Sequence, residues 1–461
     1  MAQAIVYSGA IITGSWCPPE IILDFTCAAQ LLLEFGLLGG LRDSMWAVLG
    51  HSEVRRSYAR LCHSFAVIFK GLAAMATVKF AETTSPYNCG KQVAHVTDYK
   101  HQGYLIGAGL TTAVKKYNNP VQEDLKVVNV ALFALGRAGS IHLNNIMSSQ
   151  RTNLKYIVEP DTKKLQKVGD EWRLSKDQLL SPEQDEIVFK DPSVHGIIIA
   201  TPTFMHKGLV MRGLKAGKAV FCEKPVAENF EDTKLCYQLA EQVGRPLLCA
   251  FNRRFDPSFC HLREEVHKGT VGQVHMVKTV ARDSPLPSID YLKISGGIFH
   301  DCAVHDIDLT CWVLGEYPTH VFASATTFLP EVAALNDHDT VAFTMKFPSG
   351  ALSMTDISRN AAYGYDQRLE VFGPKGMVSA GNERPFPMTT STAQGETRPP
   401  VYHSFPSRYH QGYIRELDHF CDVIQGLDDL SVNGDNTLRV STIASTLEKS
   451  VVSGKMERVV Y

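Results

Sequence analysis

Between Leu125 and Phe251 the chain repeats one pattern: an apolar run, a breaker, then an amphipathic stretch. No other feature restricts its fold so strongly. The apolar runs are "LKVVNVALFAL", "LKYIVE", "VHGIIIATP", "AVFCE" and "RPLLCAF". Helical stretches separate them, including Gly136 to Ser149, "FMHKGLVMRGLKAG" and "NFEDTKLCYQLAEQVG". In the last of these Asn229 is the N-cap and Asp232 supports the first turn. Short continuous apolar runs alternating with helices imply a parallel, doubly wound sheet with both faces covered.

After Asn252 strands follow one another directly. "GQVHMVKTVARD" is one. In "DTVAFTMKF", Val341, Phe343, Met345 and Phe347 alternate with Thr340, Thr344 and Lys346. "PSG" turns that strand into "ALSMTDIS", and "QRLEVFG" follows. The expected fold class is α/β: a doubly wound parallel domain, then an α+β domain with a large, mostly antiparallel open sheet covered on one face. The other face needs a cover, and self-association is the expected one.

Residues 1 to 120 lack the rhythm. "PYNCGKQ" and "KYNNPVQED" read as linkers. The expected organisation is an extension over 1–120, partly helical or poorly ordered and without catalytic motifs, a nucleotide-binding domain over 121–250, and a substrate and oligomerisation domain over 251–461. "AAQLLLEFGLLGG" is too short for a membrane span and contains Glu34. "LCHSFAVIFKGLAAMATVKF" carries Lys70 in its middle and reads as a buried helix. The start lacks the basic segment of a secretory signal. With 20% charged residues and a net charge of −2, nothing points to nucleic acid or a membrane surface. The eleven cysteines form no C-x-x-C pair. Reduced thiols in a cytoplasmic setting are expected.

Three short stretches carry chemistry. The first is "ALGRAGSIH", between a strand and a helix. The glycine pattern of a dinucleotide turn, G-x-G-x-x-G, falls on Ala134, Gly136 and Gly139. Gly136 would admit a pyrophosphate and Gly139 would let the helix pack on the strand. Alanine at the first position fits only with a negative φ. Glu159 ends the next strand 20 residues after Gly139, where a carboxylate would meet adenosine ribose hydroxyls. It disfavours a 2′-phosphate, so NAD is expected; Lys163 and Lys164 leave NADP as the alternative. A plain strand–helix turn and a solvated strand end are the competing readings.

The second is "AVFCEKPVAE". Lys224 follows a buried strand and precedes Pro225. It is either an ordinary strand end or an ammonium held at the carboxyl edge of a parallel sheet, where such sheets bind ligands.

The third is "GGIFHDCAVHDIDLTCWVLG". Asp301, His305 and Asp308 share a helical face, with Val304, Ile307 and Cys311 on another. A carboxylate one turn from an imidazole can fix its tautomer and raise its basicity, as a general base requires. A solvated acidic face with an incidental histidine fits the spacing too. His300 and Asp306 read as structural. No third ligand accompanies the Asp–His pair, so no metal is expected.

Together these segments resemble the Gfo/Idh/MocA oxidoreductase family over about residues 125 to 455. "IIIATPTFMH", "KAGKAVFCEKP", "FNRRFDPSF", "KGTVGQVH" and "LEVFGPKGM" extend the match. The resemblance implies a Rossmann domain, then an open-sheet domain through which members commonly assemble. It places Gly136, Arg137, Ala138, Gly139, Glu159, Thr201, Pro202, His206, Glu223 and Lys224 along NAD. Lys224 would bind the substrate oxygen. His305 would take the hydroxyl proton through an ionisation near neutrality, and Asp301 would orient the imidazole. "AYGYDQRLEVFG" and "RYHQGYIREL", with Tyr409 and Tyr413, are similar to inositol-dehydrogenase members, which implies a polyol or sugar substrate, inositol first. Arg254, Asp283, Asp308, Tyr365 and Tyr413 are the implied substrate contacts. Around Ala281 and Asp283 inositol members carry His and Asn, a departure. The alternatives are an NADP-dependent dihydrodiol or sugar dehydrogenase, and a non-catalytic nucleotide-sensing regulator.

Overall fold

The computed structural model describes residues 125–461, so the expectations for 1–120 lie outside the described residues. The first sheet contains β1 (Val128–Phe133), β2 (Thr152–Val158), β3 (Leu179–Leu180), β4 (Gly196–Ile199), β5 (Ala219–Cys222) and β6 (Leu247–Cys249). Their spatial order is β3-β2-β1-β4-β5-β6, all parallel. Helices α1 (Arg137–Ser148), α2 (Thr162–Trp172), α3 (Thr203–Lys215) and α4 (Phe230–Val243) connect them. Burial on both faces explains the unbroken apolar runs: Val130, Leu132, Ile197, Ile198, Val220 and Phe221 are fully buried. Asn229 caps α4, accepting from the Asp232 amide. The order in which successive strands are added across the sheet reverses between β1 and β4. That crevice, at the carboxyl ends, is where such sheets bind ligands.

The second sheet contains β7 (Met276–Arg282), β8 (His320–Thr326), β9 (Thr340–Lys346), β10 (Leu352–Ser358), β11 (Asp366–Gly373), β12 (Gly376–Ala380) and β15 (Glu457–Arg458). Their spatial order is β12-β11-β7-β10-β9-β8-β15. A small hairpin, β13 (Thr390–Thr392) and β14 (Gly395–Thr397), stands apart. Pairing is antiparallel except between β7 and β10. Val341, Phe343, Met345 and Phe347 are buried as their alternation predicts. Helices α5 (Pro257–His267), α7 (Val304–Leu314) and α9 (Gly434–Ser453) cover that face; α6 (Ile289–Leu292) lies in the segment after β7. The opposite face presents Phe322, Leu352, Met354, Phe372 and Met377, all exposed.

The C-terminal helices return to the first sheet. Helix α8 (His410–Gln425) packs on α1, and α9 packs on α4. These contacts bring the carboxyl edge of the parallel sheet against α7. Among the described residues no helix is long and apolar enough to cross a membrane.

Candidate active site

The nucleotide turn is built by steric necessity at one glycine and left open at another. A Cβ on Gly139 would sit 2.0 Å from the Ala134 carbonyl oxygen, so only glycine lets α1 lie this close to β1. A Cβ on Gly136 would meet nothing within 4 Å, which leaves its backbone approachable. Ala134 has φ of 75°, contrary to the negative value expected. The tight turn imposes the left-handed conformation, which costs an alanine roughly 1–2 kcal/mol.

Glu159, only 4% exposed, braces this turn. Its carboxylate accepts from the amides of Leu135 (2.5 Å) and Asp161 (3.1 Å). These two bonds leave acceptor positions over on the two carboxylate oxygens. Arg137 lies over the Phe405 ring at 4.5 Å, and Ala138 is partly buried. Thr201 has a buried hydroxyl without a partner, and Pro202 leads into α3. His206 is buried, with Nδ1 2.7 Å from the Pro225 carbonyl oxygen and Nε2 2.8 Å from that of Thr201. It therefore ties the loop after β4 to the loop after β5, a strut rather than a surface contact. His142 of α1 donates to Glu223, 2.8 Å away.

Lys224 projects from the end of β5, and the Lys224–Pro225 peptide is cis. Its ammonium donates to Asp301 twice, to the backbone oxygen at 2.7 Å and to Oδ1 at 3.0 Å. An ammonium has three donors, so one remains for an incoming oxygen. Burial pulls the Lys224 pKa down, but the Asp301 carboxylate outweighs it and the net direction is up. Burial pushes Asp301 up, but Lys224 and Arg359 outweigh that, and its carboxyl lies below the ordinary value.

Asp301 does not hold His305. A π turn at Phe299–Ala303 precedes α7, so residues on either side of it no longer stack with α-helical spacing. Asp301 Oδ1 also accepts from the Tyr291 hydroxyl (2.7 Å), and Oδ2 accepts from Arg359 (2.9 Å). The Nδ1 atom of His305 is buried without a partner. Burial first, then Lys224 and Arg253, push the His305 pKa well below 6.5. The ionisation expected near neutrality is displaced downward, and the imidazole is neutral at physiological pH.

Arg254 and Asp308, expected as substrate contacts, face each other. Both are buried and bond each other in two-pronged fashion, at 2.8 and 2.6 Å. Arg254 also donates to the Ser431 carbonyl at 2.5 Å. Every guanidinium nitrogen of Arg254 is thus engaged, and each oxygen of Asp308 already accepts one bond. Asp306 pairs with Arg253 at 3.0 Å, and His300 lies 3.4 Å from Glu448; both serve structure.

Asp283 lies close to Asp301, with its Oδ2 3.6 Å from the Cys302 thiol. Burial, then the Asp301 charge, raise its pKa to about 6. Tyr365 is buried edge-on against Tyr409, near Asp283 and Arg253. Tyr413 is buried instead against His142, at 5.7 Å between rings. Sequence reasoning missed Arg359, Tyr291 and Arg253. Arg359 stands 58 residues from its partner Asp301, and no local pattern links them. Arg253 adjoins Arg254 in "NRRF", where spacing alone does not say which guanidinium turns inward.

A parallel sheet of this order, a glycine cradle at its switch point and a paired lysine at the next strand end define a nucleotide-dependent oxidoreductase. Comparison with known proteins agrees. Residues 128–251 match the family described as "Oxidoreductase family, NAD-binding Rossmann fold", and residues 259–379 match the "GFO/IDH/MocA C-terminal domain". The inositol 2-dehydrogenase of Rhizobium meliloti (strain 1021) is 38% identical over 259 residues, 56% of this chain and 78% of that protein. The myo-inositol 2-dehydrogenase of Thermotoga maritima is 32% identical over 337 residues, 72% of this chain and 100% of that protein. A crystal structure of a myo-inositol dehydrogenase from Corynebacterium glutamicum superposes with a TM-score of 0.68 at 30% identity, covering 73% of this chain and 99% of that one. The chain belongs to the Gfo/Idh/MocA family and is an NAD-binding oxidoreductase.

Proposed function

We propose that the protein oxidises a secondary hydroxyl of a cyclitol, inositol first, with NAD as acceptor. The observation that carries this is the pairing of Lys224 with Asp301 beside a neutral imidazole. The spare donor of Lys224 binds the substrate oxygen and stabilises it as negative charge develops. His305, neutral and partly exposed, accepts the hydroxyl proton. The carbon–oxygen bond becomes a carbonyl as that carbon gives up its hydride. NAD, when bound, supplies the hydride acceptor. Gly136, Arg137, Ala138 and Gly139 cradle the pyrophosphate, and Thr201, Pro202 and Glu223 border the same cleft. Glu159 faces the ribose with its remaining acceptor positions.

A polyol needs several fixed partners, and Asp283, Arg253 and Tyr365 stand close enough together to supply them. Relatives named as inositol dehydrogenases support the substrate class. Residues 121–250 hold the cofactor, residues 251–461 supply the substrate groups, and residues 1–120 take no part in turnover. The exposed apolar row on the second sheet is the surface for self-association. The cysteines that the structure describes are free and buried, which suits a reducing cytoplasm.

The test is a screen of purified protein against myo-inositol, scyllo-inositol and simple sugars, following NADH absorbance. Turnover of an inositol, lost in Lys224→Ala, is expected. Turnover of sugars alone would overturn the substrate class. NADH binding without turnover of any compound would favour the regulator.

A further inference from the structure

Asp301 has two plausible partners in a site of this chemistry, the ammonium of Lys224 and the imidazole of His305. The structure commits it wholly to the first. Its Oδ1 accepts from Lys224 at 3.0 Å and from the Tyr291 hydroxyl at 2.7 Å, and its Oδ2 accepts from Arg359 at 2.9 Å. Tyr291 comes from the segment after β7, and Arg359 from the end of β10. The two approach the carboxylate from elements distant in sequence.

Arg359 is itself immobilised. It is fully buried, its second terminal nitrogen donates to Asp337 at 2.9 Å, and its Nε donates to the His338 carbonyl at 3.3 Å. Asp337 in turn accepts from the Ile298 amide at 3.0 Å, just before the π turn that carries Asp301. Backbone and side chain of Asp301 are thus fixed by one connected set of bonds. Tyr291 closes the set from the outer side, with 38% of its surface exposed.

We propose that Tyr291 and Arg359 are positioning residues that clamp Asp301 as the fixed counter-ion of Lys224. The clamp keeps the carboxylate from turning to His305. It also holds the spare donor of Lys224 at the substrate oxygen, so its loss weakens stabilisation of the developing charge while cofactor binding is untouched. The proposal rests on the reading of Lys224 as the group that binds the reacting oxygen.

The experiment is a double-mutant cycle on kcat, using the polyol turned over fastest in the screen above, myo-inositol first. Tyr291→Phe removes one hydrogen bond to a charged group and leaves the ring in place. It should lower kcat by about tenfold, with the NADH Kd from fluorescence quenching unchanged. In an Asp301→Asn background the same change should cost less than about threefold, because the clamped charge is already gone. Arg359→Lys, which keeps the charge but not the two-pronged grip, should follow the same pattern. Should that buried variant fail to fold, Tyr291→Phe carries the test alone. A wild-type kcat in Tyr291→Phe, or a full tenfold loss added to that of Asp301→Asn, would overturn the clamp. A wild-type kcat in Asp301→Asn itself would bring down the clamp together with the reading beneath it.

Discussion

Two glycines three residues apart should respond to alanine in opposite ways. At Gly136 the backbone has φ of −69°, which alanine adopts without strain, and the added methyl meets no protein atom within 4 Å. Reducing the freedom of the unfolded chain then stabilises the protein by about 0.4–1 kcal/mol. At Gly139 the methyl would lie 2.0 Å from a backbone oxygen and 2.9 Å from a backbone carbon, both of Ala134. Neither is a flexible side-chain end. Relieving the contact needs a shift of roughly 1 Å between β1 and α1, which at the cost of overpacking is about 3 kcal/mol. At roughly 2–4 °C per kcal/mol for a large domain, Tm should rise slightly in Gly136→Ala and fall by about 6–12 °C in Gly139→Ala. Cofactor binding should reverse the order of interest. The Gly136 methyl occupies the approach to the pyrophosphate, so NADH affinity should drop at least about tenfold in a protein that is no less stable, a loss of about 1.4 kcal/mol. Thermal unfolding by circular dichroism without cofactor, and NADH titration by fluorescence quenching, read the two quantities separately. Wild-type NADH affinity in Gly136→Ala would show that the pyrophosphate does not cross this turn. An unchanged Tm in Gly139→Ala would refute the steric account of the third glycine.

Three further outcomes follow from the charged groups. Arg254→Ala strips a buried carboxylate of its partner and should cost about 3–5 kcal/mol in denaturant unfolding, while folded enzyme keeps its substrate KM; a raised KM with unchanged stability would restore Arg254 to the substrate site. Asp283 has a folded pKa of about 6 against an ordinary 3.8, so the folded state binds the extra proton and stability falls as pH rises between those values. Asp283→Asn should remove up to about 3 kcal/mol of that penalty above pH 6 and nothing below pH 4, an upper bound because Asp283 keeps some solvent contact; an equal effect at both pH values would refute it. His305 acts as a base only when neutral, so with its pKa lowered the acid limb of kcat/KM that it controls should lie well below pH 6.5 and vanish in His305→Ala; a limb at neutrality that survives the substitution would assign it elsewhere.

What could be read in the sequence was whatever a local period or a spacing encodes. The parallel sheet announces itself because strands buried on both faces must be apolar, and β4 and β5 are so throughout, β1 at every position but Asn129. Strand β9 is legible for the complementary reason, one covered face and one open. Strand β8 was not, because "HVFASAT" mixes small and polar residues whose burial is decided by α9 packing over it. Within the site, Lys224 stood out through its position after a buried strand, and the glycine turn through its spacing. A shared face for Asp301, His305 and Asp308 presumes 3.6 residues per turn through Asp301; the π turn breaks that register, Asp308 bonds Arg254, and His305 Nδ1 is left without a partner. Arg359 and Tyr291 were invisible because their meaning lies in a partner on another element. A period reports which face is buried, and a spacing reports which groups can stack, but the choice of Asp301 between an ammonium and an imidazole is made by residues 10 and 58 positions away. The orientation of a buried carboxylate is thus a tertiary property, and here it gives Asp301 to the Lys224 ammonium rather than to the His305 imidazole.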